Sequence, residues 1–283
     1  MIFVLPSLIF VPGNNPRFLE KAKSLSADIV CFDLEDSVPE KEKTKARKLI
    51  KSALKQRKHY SANIYARTNS PESGKIESDL KEIMQKGIDG IVIPKVNSAK
   101  ELKKIEKTII SLEKKGKISG TRIIPSIESA LGVVNCYEIA CCSKRIDAVV
   151  FGIFDLLNDI GIEYTKGNPR GAKYARYKIP VDVTAAGVYA IDGIWQDIKD
   201  KSGLKKDCDV GRSLGYVGKS IIHPDQIETV HKIYHPNKNE IRWAKLVMKT
   251  YNSSTKKGKG ATVVDGKMID EVHYKRAKAL LEI

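Results

Sequence analysis

Two carboxylates, Glu128 and Asp155, stand where a hard cation could be held. Glu128 closes the apolar run Thr121 to Glu128, and Asp155 lies just past the next run, Ala148 to Gly152. Carboxylates at neighbouring strand ends can share one magnesium ion whose other positions stay with water and substrate. Gly132 follows the first carboxylate and Gly152 precedes the second, and either would let the backbone approach an ion, although each also reads as a turn glycine. Arg67 closes another run and carries a planar fork suited to a substrate carboxylate or a developing enolate oxygen, with a salt bridge to Glu35 as the alternative. Further polar groups close the remaining runs: Asp33-Leu34-Glu35-Asp36, Lys95, Asp192 and His223-Pro224. Taken singly, such a residue is an ordinary solvated loop residue or helix cap, and Asp36 and Asp155 could each cap a helix. His223 reads as the start of a helix rather than a zinc ligand, because no second His or Cys stands at ligand spacing. Their convergence carries more weight than any one of them, because a barrel's opposite rim would need caps equally and here shows mainly Ala, Gly and Lys.

The elements that must position these groups are short β-branched runs: Leu8 to Pro12, Asp28 to Glu35, Asn63 to Arg67, Gly90 to Val96, Thr121 to Glu128, Ala148 to Gly152, Ala190 to Ile194 and Gly218 to His223. Between them lie segments with helical spacing, such as Phe18, Leu19, Ala22 and Leu25, or Leu102, Ile105, Ile109 and Leu112. Strands alternating with helices demand a parallel sheet, and strands this apolar are buried on both faces. Eight such units predict an α/β fold, a (β/α)8 TIM barrel over residues 1–235, whose active site is built at the C-terminal strand ends. A helix from Glu240 to Tyr251, a polar loop, a short strand and turn from Ala261 to Met268 and a last helix form a C-terminal helical and hairpin extension, 236–283. The stretch from Leu156 to Asp182, rich in Gly, Pro, Tyr and Arg, reads as a surface excursion that could serve as a lid.

Composition bounds the function. The 283 residues are 42% hydrophobic, enough for a core without disulfides. Cys31, Cys136, Cys141, Cys142 and Cys208 are an odd set with no C-x-x-C spacing and read as structural thiols. The apolar run from Ile146 to Phe154 is broken well short of the ~20 residues of a membrane span. Residues 1–30 lack the basic start and apolar middle of a signal peptide, so a cytoplasmic location is expected. The net charge of +16 could draw nucleic acid, an anionic membrane or a phosphate-bearing cofactor. The lysines are scattered along helices (Lys41, Lys43, Lys45, Lys48, then Lys100, Lys103, Lys104, Lys107), the pattern of a solvated face. No nucleic-acid motif accompanies them, so a basic nucleic-acid-binding protein stands only as the rival class, and neither nucleic acid nor membrane is the expected partner.

Several motifs together resemble the citrate lyase β-subunit-like proteins, which include the malyl-CoA and citramalyl-CoA lyases of the HpcH/HpaI aldolase superfamily. They are Phe10-Val-Pro-Gly-Asn-Asn-Pro-Arg17, Asp33-Leu-Glu-Asp-Ser-Val38 followed by Lys43 and Arg47, Arg67-x-Asn69, Ile127-Glu-Ser-Ala-Leu-Gly132, Phe151-Gly-Ile-Phe-Asp-Leu156, Ile191-Asp-Gly193, Ile222-His-Pro224 and Asp265-Gly-Lys-Met-Ile-Asp270. They run in the family's order across residues 8 to about 280. The resemblance implies a (β/α)8 barrel whose magnesium is held by Glu128 and Asp155 and whose Arg67 contacts the substrate. It implies cleavage of a 3-hydroxy-acyl-CoA thioester, of the malyl-, citramalyl- or citryl-CoA kind, to acetyl-CoA and a 2-oxo acid. A proton is moved by Asp270 from a neighbouring subunit or by Asp36, while Glu35 and Asp36 hold metal-bound waters, with Lys43 or Arg47 behind them. A homo-oligomer, trimer or hexamer, follows. An acyl-carrier-protein thioester handled inside a citrate lyase complex is the alternative. The pyruvate-type class II aldolases carry a His base where this chain has Asp36, which argues against that branch. The chain departs from many members in having Pro6-Ser7 where Arg-Ser is usual and Glu271-Val272 where a Pro follows the last Asp motif.

Overall fold

The computed structural model describes residues 6–164 and 170–281. Eight strands, β1 (Ser7–Pro12), β2 (Ile29–Asp33), β3 (Asn63–Arg67), β4 (Gly90–Ile93), β5 (Arg122–Ile127), β6 (Ala148–Phe151), β7 (Tyr189–Asp192) and β8 (Gly218–Ile221), pair in parallel in sequence order. The barrel closes where Leu8 and Ile9 of β1 pair with Ser220 and Ile221 of β8. Successive side chains of a strand point to opposite faces, and the interior-facing set is Leu8, Ile29, Cys31, Tyr65, Val92, Ile124, Ala148, Val150 and Ile191. Gly90 makes room for one of the largest of these. A Cβ there would lie 2.2 Å from Cε1 of Tyr65.

Outside the strands run helices α1 (Pro16–Lys21), α2 (Lys43–Leu54), α3 (Ile76–Ile83), α4 (Ala99–Gly116), α5 (Ala130–Val134), α6 (Cys136–Cys141), α7 (Ile153–Asp159), α8 (Lys173–Ala185), α9 (Lys201–Leu214) and α10 (Ile227–Tyr234). α4 shows why such a segment is helical. Ser98 caps it by accepting from the Glu101 N–H, and Leu102, Ile105 and Ile109 form its buried stripe. The cysteines are free; Cys31, Cys136 and Cys208 are buried in the barrel unit.

The expected excursion from Leu156 to Asp182 is corrected in part: α7 runs to Asp159, and α8 begins at Lys173 and contains Pro180. Proline inside a helix removes one hydrogen bond, and α8 is apolar on both sides, so neither of the usual sequence signals marked it. Residues 165–169 of the expected lid lie outside the described residues.

The chain divides into two compact units that part between His231 and Lys232. The second contains α11 (Lys238–Thr255), a hairpin of β9 (Thr262–Val264) and β10 (Lys267–Ile269), and α12 (Glu271–Leu281). Asp265 and Gly266 turn the hairpin with φ of 48° and 74°, the left-handed pair that a two-residue hairpin turn requires. Ala244, Val247, Val264, Ile269 and Ala277 form its core. Among the described residues no helix is long and apolar enough to cross a membrane.

Candidate active site

The strand alternation that fills the barrel with Cys31, Tyr65, Ile124 and Val150 carries on past the apolar layer. Two or four residues further along the same faces stand Asp33, Arg67, Glu128 and Gly152, and these line a cleft of about 430 Å3 at the C-terminal mouth. Phe10, Asp36, Phe154, Asp155 and Ser220 complete much of its wall.

Arg67 is the fixed point. Its Nε and Nη2 each donate to a different oxygen of Asp33 at 2.7 Å, a bidentate pair in which Asp33 is fully buried. Nη1 lies 3.1 Å from Oε2 of Glu35, and the guanidinium stacks 4.5 Å from the centre of the Phe10 ring. Burial alone would raise the Asp33 carboxyl. The Arg67 charge and hydrogen bonds from Arg67, Ser37 and the Glu35 N–H hold it down to about 2. Two of the five N–H donors of Arg67 are thus hydrogen-bonded to Asp33, Nη1 forms an ion pair with Glu35, and donors remain for a ligand in the cleft.

Lys95, just beyond β4, is the second cation. Its backbone φ of 53° is uncommon for a residue with a side chain and typical of constrained functional sites. Nζ lies 3.0 Å from Glu35 Oε1, 3.2 Å from Asp155 Oδ1 and 3.5 Å from Asp36 Oδ1. Burial works to lower its ammonium, but these three carboxylates raise it above its ordinary range.

Against these two cations stand five carboxylates, Asp33, Glu35, Asp36, Glu128 and Asp155, and the excess of negative charge adds to burial in raising two of them. Glu128 is pushed up to about 8, by burial first and then by Glu35 and Asp155. Glu35 is pushed up to about 7, again by burial first, with Asp36 adding to it. Among the described residues Glu128 Oε2 is buried and has no hydrogen-bond partner. Leaving such a carboxylate oxygen bare costs folding energy unless something positive is bound there. Gly152 makes the position possible, because a Cβ there would fall 2.3 Å from Glu128 Cγ.

A hard divalent cation suits this donor set: one buried carboxylate with a bare oxygen, a second at the start of α7, and a surplus of negative charge. The described residues contain no group of three or more His, Cys, Asp or Glu arranged to hold a metal. Two carboxylates that leave the other positions to water and substrate are what magnesium accepts.

The other residues singled out in the sequence fall in different places. Lys43 is buried and donates to the Leu34 and Glu35 carbonyls at 2.8 and 3.0 Å, so it braces the backbone of the loop rather than the Glu35 and Asp36 carboxylates. Arg47 pairs with Asp79 at 2.7 Å, and Asp79 in turn accepts from the Asn69 backbone and amide. Arg47 therefore supports the loop after β3. Asp36 is largely exposed. His223 caps a short 3-10 turn, its Nδ1 accepting from the Asp225 N–H, as the lack of ligand spacing implied. Asp270, in the C-terminal unit, accepts from the Val272 and His273 N–H groups at the start of α12 and pairs with His273 Nδ1 at 2.7 Å. The hydrogen bond from His273 holds its carboxyl below the usual range.

Asp192 does not join the mouth. It closes a buried quartet with Arg176, Asp207 and Lys219, with contacts of 2.5 to 3.1 Å between the ionic pairs. Asp33 is the site residue that sequence reasoning underrated. Its place became clear only with the fold, where it stands two residues beyond the inward-facing Cys31 on a strand buried on both faces.

The HpcH/HpaI aldolase/citrate lyase family model matches residues 6–224. The citrate lyase subunit beta of Leuconostoc mesenteroides subsp. cremoris is 35% identical over 281 residues, covering 98% of this chain and 92% of its own. A (3S)-malyl-CoA thioesterase of Cereibacter sphaeroides is 32% identical over 276 residues, covering 97% and 93%. Among solved structures, the protein CitE from Mycobacterium tuberculosis in complex with magnesium, acetoacetate and coenzyme A has a TM-score of 0.81 at 26% identity, covering 100% of this chain and 98% of its own. None of these names a nucleic acid.

Proposed function

We propose, from the premise that this chain belongs to the HpcH/HpaI aldolase/citrate lyase family, that it cleaves a 3-hydroxy-acyl-CoA thioester of the malyl-, citramalyl- or citryl-CoA kind. The family makes it an enzyme of the carbon–carbon lyase type. The observation that carries the finer reading is the bare, buried oxygen of Glu128 facing a cleft shared with Asp155 and Arg67. Magnesium on Glu128 and Asp155 would supply Lewis-acid polarisation of the hydroxyl and carboxylate of the acid part.

The chain's own residues do the rest. Cleavage breaks the bond between the carbinol carbon and the α-carbon of the thioester. The hydroxyl proton passes to the proton-moving carboxylate, Asp270 of a neighbouring copy or Asp36, as the carbinol becomes the 2-oxo acid, and the electron pair of the broken bond moves onto the thioester as an enolate. Arg67, locked by Asp33, presents fixed N–H donors to that oxyanion without having to reorganise. The enolate takes a proton at its terminal carbon to give acetyl-CoA. Asp270 of a neighbouring copy, in a homo-oligomer, or Asp36 at the cleft edge delivers it. Glu35, between Arg67 and Lys95, holds both cations in place.

Purified protein with magnesium, offered malyl-, citramalyl- and citryl-CoA in turn, should release a 2-oxo acid from at least one, and a chelator should stop it. Arg67→Lys should lower the rate by about two to three orders of magnitude, because it keeps the charge and loses the fork. Turnover of none of the three, or full activity in Arg67→Lys, would sink the reading. A second reading, a citrate lyase β subunit acting on an acyl-carrier-protein thioester, is favoured by the 35% identity to the Leuconostoc subunit. It predicts activity on the carrier-bound thioester alone.

A further inference from the structure

We infer that Lys95 is a built-in competitor for magnesium: a tethered ammonium that holds Asp155 in the metal-free protein, yields it to the ion, and so sets how tightly the free site takes metal. The inference rests on the magnesium part of the reading above, and it gives a role at that site to a residue the reading leaves without one.

The sequence puts a long basic side chain where the backbone is poorly suited to one. Lys95 follows β4 and Pro94, and its φ of 53° is a left-handed conformation that glycine or asparagine adopts more readily. The chain on either side is fixed. Ile93 and Val96 are fully buried, and the Val96 N–H donates to the Ser126 carbonyl at 3.2 Å. From that anchored position the ammonium reaches two other elements of the mouth.

An ammonium has three donors, and three carboxylates meet this one from two sides. Glu35 Oε1 at 3.0 Å and Asp36 Oδ1 at 3.5 Å accept hydrogen bonds from it, and both belong to the loop after β2. Asp155 Oδ1, at 3.2 Å, belongs to α7. The two sides are not equivalent. Glu35 and Asp36 also lie 3.1 and 3.7 Å from Arg67, whereas among the described residues no other cation pairs with Asp155. Lys95 can therefore leave Asp155 and keep two partners, but Asp155 can lose Lys95 only in exchange for another cation. The ammonium also stands off-centre: it pairs with Asp155 and leaves Glu128 Oε2 without a partner.

Charge makes the exchange costly. Magnesium ligates carboxylate oxygen directly, and an ammonium left on the same carboxylate would face a divalent ion at close range, where like charges repel strongly in a partly buried site. Magnesium binding to the free site thus includes the work of moving Lys95 off Asp155. Until the ion arrives, Lys95 ties the loop after β2 to α7 and keeps mutually repelling carboxylates in place.

Magnesium titration calorimetry on the full chain tests this, using wild type, Lys95→Met, Lys95→Arg and the double variant Lys95→Met with Glu128→Gln. Lys95→Met should bind magnesium about tenfold or more tightly than wild type, because a neighbouring positive charge is gone. Lys95→Arg restores that charge and should return toward the wild-type constant, and the double variant should not bind. Without magnesium Lys95→Met should melt below wild type, and magnesium should raise its melting temperature by more than it raises that of wild type. Should Lys95→Met not fold, Lys95→Asn, neutral and suited to a positive φ, serves in its place. Equal or weaker magnesium binding in the neutral variant overturns the inference, since Lys95 would then brace the site rather than compete for it. So does a Lys95→Arg that binds as tightly as Lys95→Met, or a gain that persists in the double variant and so lies outside this site. No magnesium binding by wild type or Lys95→Met up to ~10 mM removes the magnesium reading together with the inference. The wild-type constant tests that reading, and the ratio between variants tests the inference.

Discussion

Two clusters of charge occupy the C-terminal half of the barrel, and they differ in one respect. In the quartet of Asp192, Asp207, Arg176 and Lys219, two anions meet two cations, and each charge has an opposite partner within 3.1 Å. At the mouth, five carboxylates share Arg67 and Lys95, two buried oxygens, Glu35 Oε2 and Glu128 Oε2, accept no hydrogen bond among the described residues, and Glu35 and Glu128 are pushed up to about 7 and about 8. A balanced buried network holds secondary structure together, here β7 and β8 against α8 and α9. An unbalanced one is stable only if a cation, a proton or a substrate completes it. Charge balance separates the structural cluster from the one proposed as functional where strand position does not.

The largest expected contrast comes from removing one carboxylate from each cluster. Glu128→Gln should lower magnesium-dependent kcat/KM by about three orders of magnitude or more and abolish magnesium binding by calorimetry. Its metal-free melting temperature should stay level or rise, because a destabilised buried acid has been removed. A variant that still binds magnesium with wild-type affinity would break the comparison.

Asp192→Asn should do the reverse. It leaves Arg176 and Lys219 with one carboxylate between them, and urea unfolding should show a loss of roughly 3–5 kcal/mol. A loss of turnover at unchanged stability would instead put Asp192 in the chemistry.

The smallest effect is in the pH dependence of the metal-free protein. Glu35 and Glu128 sit above their ordinary value of 4.5, so the stability they contribute is fully present below 4.5 and is lost as pH rises through about 7 and about 8. Thermal melts should show a decline of roughly 1–3 kcal/mol between pH 5 and pH 8, flattened in Glu128→Gln and relieved by magnesium. Asp33, held at about 2, has the opposite sign: its contribution is present above 3.8 and lost as pH falls toward 2. A metal-free protein whose stability climbs from pH 5 to pH 8 would contradict the surplus of negative charge at the mouth.

Much of this was legible in the sequence. Eight β-branched runs separated by helical spacing specify a parallel barrel, because strands apolar throughout must be covered on both faces and βα units can close the sheet on itself. The same runs point their chemistry at one mouth, and Glu128, Asp155 and Arg67 all line the cleft there. The strand and turn expected from Ala261 to Met268 became two short strands joined by Asp265 and Gly266, a pair suited to the left-handed turn.

Parity was decided only by the tertiary structure. A strand buried on both faces has no polar alternation to show which residues face inward, and a shift of one residue sends every side chain to the other face. Ile191 faces the barrel interior, so Asp192 faces the helices and becomes structural. Cys31 faces the interior, so Asp33 faces the cleft and fixes Arg67. The partners of those charges, Arg176 and Lys219 for Asp192 and Arg67 for Asp33, lie 16 to 34 residues away in the chain. Only folding sets the distances that determine whether a charge is balanced.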